Sequence, residues 1–283
     1  MKIFHEKDQL IHFIAEAKAN GEQIGFVPTM GALHEGHLSL IQTSKAENTL
    51  TVASIYVNPT QFDNKTDLER YPRTLSSDCG LLEKEGCDVV FAPSDKEMYP
   101  YGQGSIKTNM GFSVLEKVME GKYRSGHFNG VALVVSKLFH IVQPHRAYFG
   151  QKDLQQFAII QQMVNDLSIQ VTLKRCDIIR EEDGLAMSSR NRLLNERERF
   201  VASKLYESLT LAKQMLIENV SLNEVKDAAI ASICRYKDFK VEYLEVVDVN
   251  SLQAIEDENQ RTDIAICVAA HLGTVRLIDN IIM

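Results

Sequence analysis

Gly25-Phe26-Val27-Pro28-Thr29-Met30-Gly31-Ala32-Leu33-His34-Glu35-Gly36-His37 is the stretch on which the fold turns. Ile24 to Val27 is a short apolar run, the pattern of a parallel strand covered on both faces. Pro28 and Gly31 interrupt it and mark a turn. From Gly36 onward Leu38, Leu40, Ile41 and Ala46 fall at roughly helical spacing. A strand that runs into a helix N-terminus aims backbone N–H groups, and the positive end of the dipole, at one point. That point favours a phosphate. His34 and His37 stand three apart, so a first helical turn puts both rings on one side of it. Zinc fits the spacing poorly, because the zincin pattern needs histidines four apart and no cysteine pair supplies further ligands. No Gly-Lys-Ser/Thr follows, which excludes a Walker loop, and no Gly-x-Gly-x-x-Gly is present.

Outward from this stretch the chain alternates strand and helix. Leu10, Ile14 and Ala17 mark a first helix closed by Asn20-Gly21. Leu50 to Val57 is a strand rich in β-branched residues, ended by Asn58-Pro59. Gln61 therefore lies just past the carboxyl end of a strand, where open α/β sheets hold ligands. A helix over Leu75 to Lys84 and a strand over Val89 to Phe91 follow, and Asp95 to Gln103 is rich in turns. Asn129 to Val142 is a buried helix stopped by Gln143-Pro144. Ala147 to Phe149 then runs into Gly150-Gln151-Lys152-Asp153 and a helix from Leu154 to Leu167, a second strand–turn–helix unit with a charged turn. Val171 to Ile179 is the next strand, with Ile179 at its end.

This order predicts an α/β fold, a doubly wound, Rossmann-like parallel sheet, over residues 1–184. After Glu181-Glu182-Asp183-Gly184 the pattern changes. Long helices over Glu196 to Glu218 and Leu222 to Tyr236 come first, then strands over Val241 to Val247, Ile264 to Ala270 and Val275 to Ile278. Asn259 to Thr262 reads as a loop. Segregated helices and strands predict a smaller C-terminal α+β domain over 185–283.

The 283 residues are 45% hydrophobic and 24% charged, values of an ordinary globular protein large enough for one or two cores. A net charge of −7 argues against nonspecific nucleic-acid binding and against an anionic membrane surface. The five cysteines form no close pair, the usage of reduced cytoplasmic thiols. Lys2, His5, Glu6, Lys7 and Asp8 break any leading apolar run, so no signal peptide is expected. Val131 to Val142 carries Lys137 and His140 and is too short to span a bilayer. The expected setting is the cytoplasm, with neither membrane nor nucleic acid as partner.

Thr29-Met-Gly-Ala-Leu-His-Glu-Gly-His37 resembles the His-x-Gly-His signature of nucleotidyl-transferring α/β enzymes, and its full form resembles the pantothenate synthetase (pantoate–β-alanine ligase) family. Further segments match that family in order: Tyr56 to Phe62, Arg70 to Thr74, Ser125 to Phe128, Phe149 to Asp153, Met187 to Asn191 and Leu277 to Asn280. The resemblance covers nearly the whole chain. It implies condensation of (R)-pantoate with β-alanine, driven by ATP through a pantoyl adenylate, giving pantothenate, AMP and pyrophosphate. It also implies Mg²⁺ accompanying ATP, a homodimer, and a C-terminal domain acting as a lid; no dedicated all-protein metal cage is visible in the sequence, which suits Mg²⁺ held mainly by phosphates.

By position, the resemblance places ATP against Met30, Gly31, Ala32, Leu33, His34, Glu35, Gly36 and His37, against Gly150, Gln151, Lys152 and Asp153, and against Ile179, Met187, Ser188, Ser189 and Arg190. His37 takes the family's proton-donor role, with His34 and Lys152 as fellow catalytic groups on the phosphates. Gln61 and Gln156 match the pantoate positions, and Gln61 also the β-alanine position. Asp153 suits either ribose hydroxyls or the cap of the next helix. Gln151 departs from the family's usual Glu, removing a charge and keeping the reach. The competing readings are another adenylyl or cytidylyl transferase with the same signature, and a nucleotide sensor without turnover.

Overall fold

The computed structural model describes residues 1–103, 108–255 and 263–283. The expected loop at Asn259 to Thr262 lies outside them. The elements run β1 (Lys2–Phe4), α1 (Lys7–Ala19), β2 (Ile24–Thr29), α2 (Glu35–Glu47), β3 (Leu50–Ile55), α3 (Lys65–Arg70), α4 (Leu75–Lys84), β4 (Val89–Phe91), α5 (Asp95–Met98), α6 (Met119–Tyr123), α7 (His127–Val142), β5 (Arg146–Gly150), α8 (Leu154–Asp166) and β6 (Thr172–Cys176). Then come α9 (Glu196–Ala202), α10 (Lys204–Ile217), α11 (Leu222–Cys234), β7 (Phe239–Asp248), β8 (Ile264–Leu272) and β9 (Val275–Ile282). Two compact units emerge: residues 1–150 with 159–176, and residues 151–158 with 177–283. The division after Cys176 differs from the expected 184/185 boundary, because Arg180 is bound to Asp279 on β9 and draws its segment into the second unit.

The first unit holds a parallel sheet of order β1-β4-β3-β2-β5-β6. Central β2 is apolar on both faces: Ile24, Phe26 and Val27 are fully buried. Leu33, Leu40 and Ile41 from around α2 pack with Val27, Ala53, Leu82, Val90 and Tyr148 in one cluster. Crossing from β2, the chain fills one side with β3, β4 and β1, and the other with β5 and β6. The order thus reverses between β2 and β5, and at such a reversal the carboxyl ends of the strands leave a crevice for ligands. The signature stretch leaves β2 there, and Gly150 ends β5.

The short helices α3, α5 and α6 were not expected from the sequence pattern, and three further elements differ from it. β1 escaped the pattern because it is three residues long and its Ile3 is 46% exposed at the edge. The strand expected over Val171 to Ile179 stops at Cys176, since among the described residues β6 pairs only with β5, residue for residue, and β5 turns away at Gly150. Ile179 is accordingly not at a strand end. The helix expected over Glu196 to Glu218 is broken at Ser203, whose Oγ donates to the Phe200 carbonyl and whose own carbonyl receives Tyr206 N–H.

The second unit packs α10 and α11 on an antiparallel sheet of order β7-β8-β9. Leu205, Leu209, Ala212 and Leu216 recur at helical spacing on α10 and meet Val225, Ala229 and Ile233 of α11 and the buried Ile264, Ile266, Val268 and Ala270 of β8. Ser208 Oγ donates to the Ala229 carbonyl, so the helix pair is joined by a satisfied polar bond as well. No helix among the described residues is long and apolar enough to cross a membrane.

Candidate active site

In the first unit the signature loop turns through two successive left-handed residues, Gly31 (φ +83°) and Ala32 (φ +51°). A Cβ on Gly31 would meet Asp78 Oδ2 at 2.9 Å, so glycine serves both the turn and the close approach. The loop is held from behind by Asp78 in the first turn of α4, 1% exposed. Its Oδ2 accepts Ala32 N–H and its Oδ1 accepts Leu33 N–H, both at 2.9 Å, and Thr74 Oγ1 donates to Oδ2 at 3.0 Å. Gly31 N–H goes to Thr29 Oγ1 at 3.2 Å. Asp78 was invisible in the sequence, where it is one acidic residue opening an amphipathic helix.

His34 is the N-cap of α2, with extended φ −144° and ψ 172°, rather than part of its first turn. The tight His37 N–H to His34 carbonyl bond, 2.7 Å, folds the two residues together. The ring centroids stand 4.0 Å apart, tilted by 44°, and the Nδ1 atoms are buried. The expectation that the two imidazoles share one side of the helix mouth holds, by a different backbone route.

Gln61 ends a 3₁₀ turn, Pro59–Gln61, directly after β3 and is 8% exposed. Its Nε2 donates to Met30 Sδ at 3.2 Å, which seats it beside the signature loop. Its amide orientation follows from its neighbours. The Gly130 carbonyl can only accept, so Asn58 turns Nδ2 toward it (3.2 Å) and toward Gln61 Oε1 (3.0 Å). Asn58 Oδ1 receives Tyr99 O–H at 2.7 Å and Thr60 O–H at 3.0 Å. Burial pushes the Tyr99 phenol above its ordinary range, so it keeps the proton it donates. Gln61 is left with its NH₂ as the end that meets Met30. The backbone carbonyl of Gln61 meets His127 Nδ1 at 2.8 Å, so that nitrogen carries the proton. A Cβ on Gly130 would fall 2.2 Å from the Thr60 carbonyl oxygen, so only glycine lets α7 approach this turn.

In the second unit Gln151–Asp153 is a 3₁₀ turn leading into α8. Lys152 Nζ lies 4.0 Å from Asp153 Oδ2, and Gln156 is half-buried in the first turn of α8. Asn280 of β9 donates to the carbonyls of Gln151 and Lys152, both at 3.0 Å. A small hairpin brings Ile179 to Met187: Met187 N–H donates to the Ile179 carbonyl at 3.0 Å, and Arg180 pairs with Ala186. Gly184, φ +89°, turns it, with the Tyr206 ring 2.5 Å from where a Cβ would stand. Ser188 caps the following 3₁₀ turn, its Oγ accepting Arg190 N–H at 3.3 Å, while Ser189 is buried. Arg199 clamps Glu181 and Asp183 across the hairpin, and its hydrogen bond holds the Asp183 carboxyl below the usual carboxylate range.

The first unit supplies ring N–H groups and helix-mouth amides, donors of the kind an anion takes. The second unit, by itself, supplies a lysine and a serine–arginine turn. The chain matches the family model described as pantoate-beta-alanine ligase over residues 2–282. It is 47% identical over 276 residues to a pantothenate synthetase of Cytophaga hutchinsonii, covering 97% of this chain and 96% of that one. It is also 47% identical to that of Bacteroides fragilis, covering 99% and 98%. The solved pantothenate synthetase of Thermus thermophilus superposes with TM-score 0.93 at 39% identity, covering 99% of each chain. The pantoate-beta-alanine ligase of Francisella tularensis, solved with beta-gamma ATP and beta-alanine, gives 0.82 at 35% identity, covering 100% of this chain and 97% of that one. Motifs, topology and sequence agree along the whole length: the chain belongs to the pantoate–β-alanine ligase family.

Proposed function

We propose a residue-level course for the reaction of this family, in which pantoate and β-alanine are joined at the expense of ATP. A carboxylate is a poor acyl donor. Its oxygen attacks the α-phosphorus of ATP, the bond to the pyrophosphate oxygen breaks, and pantoyl adenylate forms. The β-alanine amine then adds to the acyl carbon and AMP leaves. Positioning and charge neutralisation carry such a phosphoryl transfer, since little covalent work falls to the protein.

The observation that carries the reading is the pair of imidazoles, centroids 4.0 Å apart, at the start of α2 directly after the carboxyl end of β2. We assign His34 and His37 to the triphosphate. A proton held by His37 at the α–β bridging oxygen strengthens its bond as that oxygen becomes a leaving group, which is where binding raises rate. Met30 to His37, Gly150 to Asp153, Ile179 and Met187 to Arg190 are assigned to ATP. Within this set Lys152 is the compact cation for a phosphate oxygen, and Ser188 to Arg190 close over the nucleotide as part of a lid. Ile179 spends its carbonyl on Met187, so its contribution is to fix the Met187 backbone.

Gln61 and Gln156 are assigned to pantoate. The NH₂ of Gln61 donates to oxygen atoms of pantoate and of β-alanine, and Met30 Sδ, a weak acceptor, is readily replaced by them. A neutral amide orients the pantoate carboxylate and draws less charge from this nucleophile than an arginine clamp. Mg²⁺, implied by the family resemblance, would travel with the phosphates. The described residues hold no group of three His, Cys, Asp or Glu that could hold it, and the phosphates themselves would supply its oxygen ligands. A homodimer, and a cytoplasmic setting in keeping with five free cysteines, complete the proposal.

One assay tests the reading: pyrophosphate release from ATP with and without pantoate, and AMP turnover with and without β-alanine. Release that requires pantoate, with turnover that requires β-alanine, is expected. Release without an acid acceptor would point to another nucleotidyl transferase, and binding without release to a sensor. Replacing Gln61 by Ala is expected to raise KM for both pantoate and β-alanine and leave ATP binding intact; unchanged kinetics would remove Gln61 from the site.

A further inference from the structure

Leu277-Ile278-Asp279-Asn280 is a matching segment to which no ligand is assigned. We propose that Asn280 is a positioning residue for Lys152, fixing the backbone from which the lysine reaches a phosphate. The proposal rests on the assignment of Lys152 to ATP.

Asn280 is 2% exposed, on β9 opposite Cys267 of the central strand. Its Nδ2 donates to the carbonyls of Gln151 and Lys152, and its Oδ1 accepts Gln151 Nε2 at 3.1 Å. Carbonyls only accept, so the amide has one orientation here. The Gln151 carbonyl lies in the peptide plane before the Lys152 Cα, and the Lys152 carbonyl in the plane after it. The trans peptide unit is planar, so fixing both planes fixes φ and ψ at Lys152 and with them the direction of its Cα–Cβ bond. Both carbonyl oxygens, which would repel a phosphate, are occupied at the same time.

Asn280 is itself immobilised. Its N–H meets Asp279 Oδ1 at 2.7 Å and its carbonyl accepts Arg180 Nη2 at 3.2 Å. Arg180 holds the buried Asp279 through Nη1–Oδ2 at 2.7 Å and Nη2–Oδ1 at 3.0 Å, and its guanidinium lies 3.7 Å from the Tyr206 ring centroid. The last strand thus bears on the lysine through one neutral amide, and Gln151 adds the donor that completes that amide's bonds.

The test is a double-mutant cycle of Asn280→Ala and Lys152→Ala, read as the dissociation constant of a nonhydrolysable ATP analogue. Lys152→Ala weakens binding. Asn280→Ala alone is expected to weaken it by about tenfold, and to add less than about twofold once the lysine is gone, since residues that act through one contact are not additive. In the parent background KM for β-alanine is expected to stay within about twofold, where a general loss of packing would move it too. An equal factor in both backgrounds would overturn the proposal, because Asn280 would then act independently of the lysine. Binding unaffected by Lys152→Ala would bring down the assignment beneath it, and the proposal with it. If Asn280→Ala does not fold, Asn280→Ser keeps one donor, and the same cycle is expected to give a smaller loss that again vanishes without Lys152.

Discussion

Two turns, one in each unit, are both proposed to meet phosphate, and they are held in opposite ways. The turn after β2 is held by its N–H groups: Ala32 and Leu33 donate to the Asp78 carboxylate. The turn after β5 is held by its C=O groups: Gln151 and Lys152 accept from the Asn280 amide. The polarity of each anchor follows from what the turn offers a ligand. The first turn leads into a helix whose mouth presents N–H groups and two imidazoles, so a buried carboxylate can neutralise spare amides behind it. The second turn offers a cation that already has the Asp153 carboxylate 4.0 Å away, and a second carboxylate would compete further with phosphate for the lysine. A neutral amide secures the backbone without that competition.

The largest expected effect comes from removing the charged anchor. Asp78→Ala leaves two buried N–H groups without an acceptor, at about 1–3 kcal/mol each, so a loss of about 2–6 kcal/mol is expected. Urea unfolding reads this as a lower midpoint at unchanged slope. The displaced loop carries both imidazoles, and kcat/KM for ATP is expected to fall on the order of 10²-fold. Retained ATP kinetics in a destabilised protein would show that the loop geometry does not depend on its anchor.

Exchanging the anchors by isosteric substitution sharpens the contrast. In Asn280→Asp a carboxylate faces two carbonyl oxygens and can donate to either only when protonated. Burial already pushes the neighbouring Asp279 carboxyl upward against the pull of Arg180, and a carboxylate at residue 280 would have the neutral Gln151 amide as its side-chain donor in place of a bidentate guanidinium. Its folded pKa is therefore raised above the unfolded value near 3.9. The sign follows: the loss of stability, about 2–4 kcal/mol, is full above the folded pKa and shrinks as pH falls through it toward the unfolded value. Asp78→Asn keeps one acceptor, so a smaller deficit than that of Asp78→Ala is expected. Denaturant midpoints across pH check both; a flat Asn280→Asp deficit would mean that the carbonyls find other donors.

The sheet, the signature loop and the turn at Gly150 were legible because their information is local. A buried parallel strand such as Ile24 to Thr29 has an apolar run that only a covered strand needs, and Gly31 and Gly150 punctuate it. The anchors were not legible for the complementary reason. Asp78 reaches its partners across 45 and 46 residues, Asn280 across 128 and 129, and neither distance leaves a periodicity. A lone acid in the first turn of α4 reads as an ordinary helix-dipole residue. Ile179 was misplaced because β-branched residues run past the point where β6 loses its only partner. Ser203 breaks a pattern that is helical on both sides, through a side-chain bond that composition does not reveal.

The smallest expected effect comes from a third turn, where the two devices are combined in one side chain. Asn58 donates to the Gly130 carbonyl as Asn280 does to its turn, and accepts Thr60 N–H at 3.4 Å as Asp78 does to its loop. Tyr99→Phe removes only one donor from Asn58 Oδ1 and leaves Thr60 to satisfy it. The Gly130 carbonyl still fixes the orientation of Asn58, and through it that of Gln61. The loss is about 1 kcal/mol. Were all of it to reach the ligand, KM for pantoate would rise by no more than about fivefold, with KM for ATP unchanged. A rise of about tenfold or more, past what one neutral hydrogen bond supplies, would mean that Tyr99 and not Gly130 sets the amide. The turn would then depend on a single donor, and the redundancy inferred for Asn58 would be lost.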